Sequence, residues 1–305
     1  SAGRLVWRLA QKSIAQLPPQ TRAHVLFGLQ VGPLLGALLG VLGVVLPAYL
    51  LHEPPGTNEP YSLSLLFPSL VCLLVLSFAA HRVWLAWRLT NRLSKSWQQG
   101  MGRIKQDGIA APIWRIQHPL PLIAVVGVLR PQLFVAAHLF EALTTAELTA
   151  VLRHEQWHLT ARDNFRRVLF DLCQHGLFFL RGGRELAQQW YESVEMSADE
   201  YAARHNPHVA LDLASALVKI ARLFPAGASV TLPATVSTVL LDDSSLARRV
   251  QRLMQMSDEG EPFVPQSVLP GIVTSCFLLF ALIMLQSDAL WMVHQGIELL
   301  VSYLP

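Results

Sequence analysis

Residues 143–169 read LTTAELTAVLRHEQWHLTARDNFRRVL. The segment opens with a helix-start signal. Thr144 or Thr145 can cap the first turn, with Glu147 placed to complete a capping box. The apolar spacing then predicts a helix that runs through His158. Four residues along a helix is a rotation of about 40°, so His154 and His158 leave one face a turn apart. Two imidazoles so placed can bind one ion. Glu155 lies beside them, able to act on a water at that ion without being a ligand. The tight His-Glu-x-x-His spacing favours one zinc ion per chain over iron or manganese.

A catalytic zinc takes three protein ligands and leaves a position open. Residues 191–204, YESVEMSADEYAAR, offer the missing one. Glu195 and Asp199 share a helical face, so Glu195 is the candidate third ligand. Asp199 is the candidate to accept a hydrogen bond from a ligand imidazole and fix its tautomer. Glu192 competes with Glu195 for the ligand role.

Composition places this helix in a membrane protein. Apolar residues make up 52% of the 305 and charged residues only 15%, against about 25% charged in soluble domains. Mean hydropathy is +0.37. Residues 25–51 hold no charged side chain, and residues 61–80 and 269–286 are further apolar runs; about 20 such residues cross a bilayer. Residues 168–180 are apolar too, but short and interrupted by Asp171 and His175. They read as a buried or membrane-dipping helix; as intramembrane ionisable groups those two residues would instead suit a transporter.

The expected architecture is an α-helical membrane protein with about three transmembrane helices and an α+β metallopeptidase domain. Its parts are a basic segment at 1–24, two spans within 25–90, the enzymatic domain at 91–262, and a last span with a short tail at 263–305. Residues 82–167 carry twelve Lys and Arg against five Asp and Glu, which favours a cytoplasmic domain. The Gly-rich first span could pack against a second copy of the chain. A net charge of +3 without a basic patch argues against nucleic acid. Cys72, Cys173 and Cys276 form no CxxC pair, which argues against a disulfide framework.

Within the domain, residues 113–117, 122–128 and 133–135 read as strands. Further helices are expected at about 184–204, 209–223 and 244–256.

Residues 127–169 resemble the BlaR/MecR-type membrane metallopeptidases and, more distantly, the HtpX-like and CAAX-prenyl proteases. The shared features are a Pro-led strand after Pro131, Glu147-Leu148, the His154–His158 motif and Arg162-Asp163. Glu-x-x-Ala-Asp follows at Glu195, Ala198 and Asp199, and Arg-Val-x-x-Leu at Arg249–Leu253. The resemblance covers about residues 113–255. It implies a zincin-like domain of the gluzincin type in a bacterial plasma (inner) membrane, with His154, His158 and Glu195 as zinc ligands and Glu155 as catalytic base. It also implies that Leu133, Phe134, Val135, Ala136 and Ala137 form an edge strand that binds a protein or peptide substrate. The His-Pro that HtpX-like proteins carry before the Arg-Val segment is absent. Arg249 becomes the first candidate to stabilise the oxyanion, with Tyr201 and His205 behind it. No sensor domain of the β-lactam receptors follows the last span, so β-lactam binding of that kind is not expected. The competing reading is a non-catalytic signalling or scaffold protein with a structural zinc.

Overall fold

The computed structural model describes residues 13–52, 63–98, 102–104, 112–176, 183–204, 206–225, 236–238, 243–259 and 287–302. In chain order the helices and strands are α1 (Pro19–Gly40), a π turn (Val41–Val45), α2 (Leu46–His52), α3 (Leu63–Gln98), β1 (Arg103–Ile104), β2 (Ile113–Ile116), β3 (Ile123–Val126), β4 (Gln132–Ala136), α4 (Leu139–Ala142), α5 (Thr145–Thr160), α6 (Asp163–Gly176), α7 (Gly183–Ala203), α8 (Pro207–Leu223), β5 (Val236–Thr238), α9 (Asp243–Glu259) and α10 (Ser287–Ser302). The protein is mostly helical with one small mixed sheet. It divides into a unit of Ser1–Leu26 with His81–Pro265, and a second of Phe27–Ala80 with Gln266–Pro305.

In the first unit the sheet order is β1-β2-β4-β3-β5. Strand β2 runs parallel to β4, and the other pairs are antiparallel. Strand β3 is apolar throughout and β4 from Leu133 onward, and both faces of each are covered. Ile123, Val125, Leu133 and Val135 face a core that contains Val151 and Leu152 of α5 and Leu213 and Leu217 of α8. Ala124, Val126 and Phe134 face the other way, against Leu93 and Trp97 of α3.

This order corrects the edge-strand expectation for Leu133, Phe134, Val135, Ala136 and Ala137. Residues Leu133–Ala136 pair with β2 on one side, and Gln132–Val135 with β3 on the other. The Ala137 N–H also donates to Ile116 O at 2.8 Å. The backbone groups of β4 are therefore consumed inside the sheet, whose outer strands are β1 and β5.

Helix α5 starts as its sequence requires. Thr144 is the N-cap, its side chain accepts from Glu147 N, and Glu147 Oε2 accepts from Thr144 N at 2.8 Å. The same carboxylate accepts from Ser215 Oγ at 2.6 Å and Lys219 Nζ at 2.8 Å, tying the start of α5 to α8. Helices α7 and α9 are laced by Arg248–Glu192 and Arg252–Glu200 ion pairs. Residues 163–176 belong to α6, which buries Phe170 and Cys173 and stacks Phe170 on Trp190 with ring centres 4.6 Å apart.

In the second unit, residues 27–40 of α1 lead through the π turn into α2. Pro47 has no N–H and its ring crowds the carbonyl four residues back; the widened turn immediately before it absorbs that conflict. Val44 and Ala48 are buried with Leu290 of α10, and Val293 packs beside them.

Two helical stretches, Pro19–His52 and Ser69–Gln98, are long and apolar enough to cross a membrane. Their apolar side chains are largely exposed, among them Leu38, Leu42 and Leu50 of the first and Leu73, Leu74 and Leu76 of the second. Helix α3 runs well past the expected end of the second apolar run at His81. No Gly or Pro interrupts it between Pro68 and Gly100, and nothing else breaks a helix as firmly. The third apolar run, 269–286, lies outside the described residues. The expected short tail contains α10, whose Leu290, Val293 and His294 recur at helical spacing.

Candidate metal centre

The turn between α5 and α6 positions the first ligands. Helix α5 ends at Thr160, and Arg162 takes a left-handed φ of 52°. The chain therefore reverses at once, and Asp163 at the start of α6 reaches back to His158. The His158 Nδ1–H donates to Asp163 Oδ2 at 2.7 Å, while His154 Nδ1 lies 2.9 Å from Asp199 Oδ1. With each Nδ1 turned to a carboxylate, the two Nε2 atoms face each other 3.2 Å apart. Two nitrogens on one tetrahedral ion at ~2.0–2.1 Å would stand about 3.3 Å apart.

Glu195 comes from α7. Its Oε2 is 3.5 Å from His154 Nε2 and its Oε1 is 3.8 Å from His158 Nε2. His154, His158 and Glu195 each offer a ligand atom, all within 4.8 Å of one another, and all three residues are buried. This group can hold a metal ion. Glu155 is fully buried beside it, and neither carboxylate oxygen has a hydrogen-bond partner.

Charge supports the same fit. The buried side chains here include the carboxylates of Glu155, Asp163, Glu195 and Asp199, and the guanidiniums of Arg167 and Arg249. With neutral imidazoles and ionised acids the set is short of positive charge by the amount a divalent cation supplies, and buried charge without compensation is costly. His154 responds accordingly. Burial works against a charged His154, but hydrogen bonds to Asp199 and Glu195 outweigh it and push its pKa up to about 9. Burial likewise opposes ionisation of Glu195, yet His158, His154 and Arg249 hold its carboxyl well below the usual range. Asp199 is depressed in the same way, burial being overcome by Arg249 and His154. For Glu155 the balance is reversed: burial raises its pKa, and His158, His154 and Arg167 offset this only in part.

Two residues that sequence reasoning left without a role complete the centre. Asp163 figured only as half of an Arg-Asp pair, and Arg167 not at all. They are four apart on α6, a spacing that would have put them on one face. The Arg167 Nη2 donates to Glu195 Oε1 at 3.1 Å, and its guanidinium carbon lies 5.1 Å from the Tyr191 ring centre. Asn164 anchors the same turn, its Nδ2 donating to Val125 O at 2.9 Å and Gly127 O at 3.0 Å.

The remaining candidates take other places. Arg249 is buried; its Nε and Nη2 donate to Asp199 at 2.8 and 2.7 Å, and its Nη1 is 3.2 Å from Glu195 Oε2. Its cation grips the carboxylates of Asp199 and Glu195. Glu192 pairs with Arg248 at 2.8 Å and lies outside the ligand group. Tyr201 packs on Trp157 with ring centres 5.2 Å apart, and His205 lies outside the described residues. Asp171 accepts from the Tyr191 hydroxyl at 3.3 Å. No model of a known protein family and no curated protein matches this chain.

Proposed function

We propose that this protein is a membrane-embedded zinc endopeptidase with a zincin-like domain of the gluzincin type, cutting a protein substrate at the cytoplasmic face of a bacterial plasma membrane in regulatory or quality-control proteolysis. The reading rests on one observation above all. Two imidazoles of α5 and one carboxylate of α7 converge, and a second glutamate, with no hydrogen-bond partner for its carboxylate, is buried next to them. Three protein ligands suit a catalytic site, whereas structural zinc sites are closed by four. The two apolar helices support residence in a bilayer, and the basic character of residues 82–167 supports the cytoplasmic side.

His154, His158 and Glu195 would hold the ion. When bound, it would polarise the scissile carbonyl and acidify a water. Glu155 would serve as the base that takes a proton from water and returns it to the leaving amine, a role to which its raised pKa is suited. Asp163 and Asp199 keep each imidazole in the tautomer that presents Nε2. Arg167 and Arg249 hold Glu195 in line. An extended substrate that joins the sheet would pair with an outer strand, and β5, which packs against α6, is the one beside the site.

The decisive experiment uses purified full-length protein, an unfolded polypeptide substrate and a chelator control. Glu155→Gln is expected to retain zinc and lose cleavage by about 10²–10⁴-fold. The double variant His154→Ala/His158→Ala is expected to lose both. Undiminished cleavage by Glu155→Gln would refute the enzymatic reading, and full zinc content in the double variant would refute the ligand assignment. Proteome comparison of cells carrying wild type and Glu155→Gln would then reveal the substrate, as fragments that depend on the glutamate.

A further inference from the structure

A second pair of histidines lies in the other unit. Along the π turn and α2 the residues buried against α10 recur every four positions from Val44 through Ala48, and the next position is His52. On α10, Leu290 is followed four positions later by His294. The two apolar layers are thus succeeded by a layer of two imidazoles. His294 is buried at 7% exposure. The rings stack with centres 6.0 Å apart and planes 28° from parallel.

His52 Nδ1 lies 3.2 Å from Ala48 O. A carbonyl oxygen only accepts, so this nitrogen carries a proton and Nε2 is the ring nitrogen left to ligate. An Nδ1–H held by a backbone carbonyl is a common way to prepare an imidazole as a metal ligand. Among the described residues no carboxylate forms an ion pair with either ring.

Ring spacing agrees with ligation. An imidazole nitrogen binds at ~2.0–2.1 Å, which puts the centres of two rings on one tetrahedral ion roughly 5 Å apart, more as the angle at the ion widens. His154 and His158 measure 4.9 Å. The His52–His294 spacing is wider, but His52 is the last residue of its helix, where a side-chain rotation closes such a gap. Glu298, exposed and one turn beyond His294, is within reach as an oxygen donor.

We propose that His52 and His294 form a second metal site, separate from the α5–α7 centre, that takes a nitrogen-seeking d-block dication such as Zn²⁺, Ni²⁺ or Cu²⁺. Water or an exchangeable anion fills its remaining positions, and the bound ion clasps α10 to α2.

The test is metal stoichiometry of the full chain in detergent after equilibrium dialysis against Zn²⁺. Wild type is expected to hold two equivalents, His52→Gln and His294→Gln one each, His154→Ala/His158→Ala one, and the combined variants none. A wild-type stoichiometry that neither His52→Gln nor His294→Gln lowers overturns this proposal and leaves the catalytic reading intact. A single equivalent lost with His52→Gln but kept in His154→Ala/His158→Ala does the reverse. Equal melting temperatures of metal-free wild type and glutamine variants show that a lost equivalent reflects lost ligands. Should a variant fail to fold, Cu²⁺ electron paramagnetic resonance on wild type decides. Two copper signals, each split by two imidazole nitrogens, support the site, and one such signal overturns it.

Discussion

The molecule holds two pairs of neighbouring imidazoles in opposite surroundings. His154 and His158 share one helix, each faces a carboxylate through Nδ1, and two further acids and two arginines lie around them. His52 and His294 come from different helices, and among the described residues they adjoin a backbone carbonyl and the apolar layers of Val44, Ala48, Leu290 and Val293. The contrast separates two things that a histidine pair needs. Ring placement comes from helical spacing in the first pair and from the packing of α10 on α2 in the second. Strength, selectivity and reactivity follow from the charges behind the rings, and among the described residues only the first pair has those. The first centre should therefore be sensitive to residues that never touch the ion, and the second only to its own imidazoles.

Substitutions behind the ligands put that contrast to the test. The largest effect is expected from Arg249→Met, which leaves Asp199 and Glu195 buried with less compensation. A cost of about 3–5 kcal/mol is expected, because breaking a buried pair strands its partner. Denaturant unfolding of metal-free protein measures it. Next, Asp163→Asn should weaken metal binding by about 10–100-fold, since it removes the anion behind His158; competition with a chromophoric chelator reads this. If binding is unchanged, the carboxylates are bystanders and the two pairs are more alike than they look.

Glu147→Gln comes third, at about 1–2 kcal/mol from a weakened cap and a lost ion pair. Its pH dependence has a definite sign. Burial opposes the charge, but Lys219, Ser215 and the Thr144 N–H hold this carboxyl down to about 2, against an ordinary 4.5. The stabilisation is complete above pH 4.5 and disappears as pH falls from there towards 2. Wild type and Glu147→Gln should therefore converge in stability across that window. The smallest effect is a proton count. His154 is held up to about 9 without metal, so its stabilising charge is complete below pH 6.5 and lost as pH rises through 9. Metal needs the neutral ring, so binding at pH 7 should release protons and tighten with rising pH. Calorimetry in buffers of different ionisation enthalpy measures the release.

Much of the first centre could be read in the chain because it is written in local spacing. Thr144, Glu147, His154, Glu155 and His158 lie within one helix, and Glu195 and Asp199 within one turn of another. What could not be read depends on partners distant in sequence. The Leu-Phe-Val run at 133–135 has the composition of an edge strand or a central one equally well. Only its pairing with both β2 and β3 decides, and β5, which extends the sheet beyond β3, arrives about 110 residues after it. The same holds for Arg249. Its charge and motif were visible, but not that its fork would close on Asp199 and Glu195. The closeness of His52 to His294 was hidden for the same reason, since 242 residues separate them.

Gly127 has a consequence that reaches well beyond its own turn. It joins β3 to β4 at a φ of +116°, and a Cβ there would come within 2.7 Å of the Arg130 carbonyl oxygen. Its own carbonyl is one of the two that Asn164 grips, and Asn164 is the neighbour of the acid that aims His158. The hairpin thus serves as a jig against which the imidazole is set. Gly127→Ala, though it removes no ligand and no charge, should surface as misalignment at the ion.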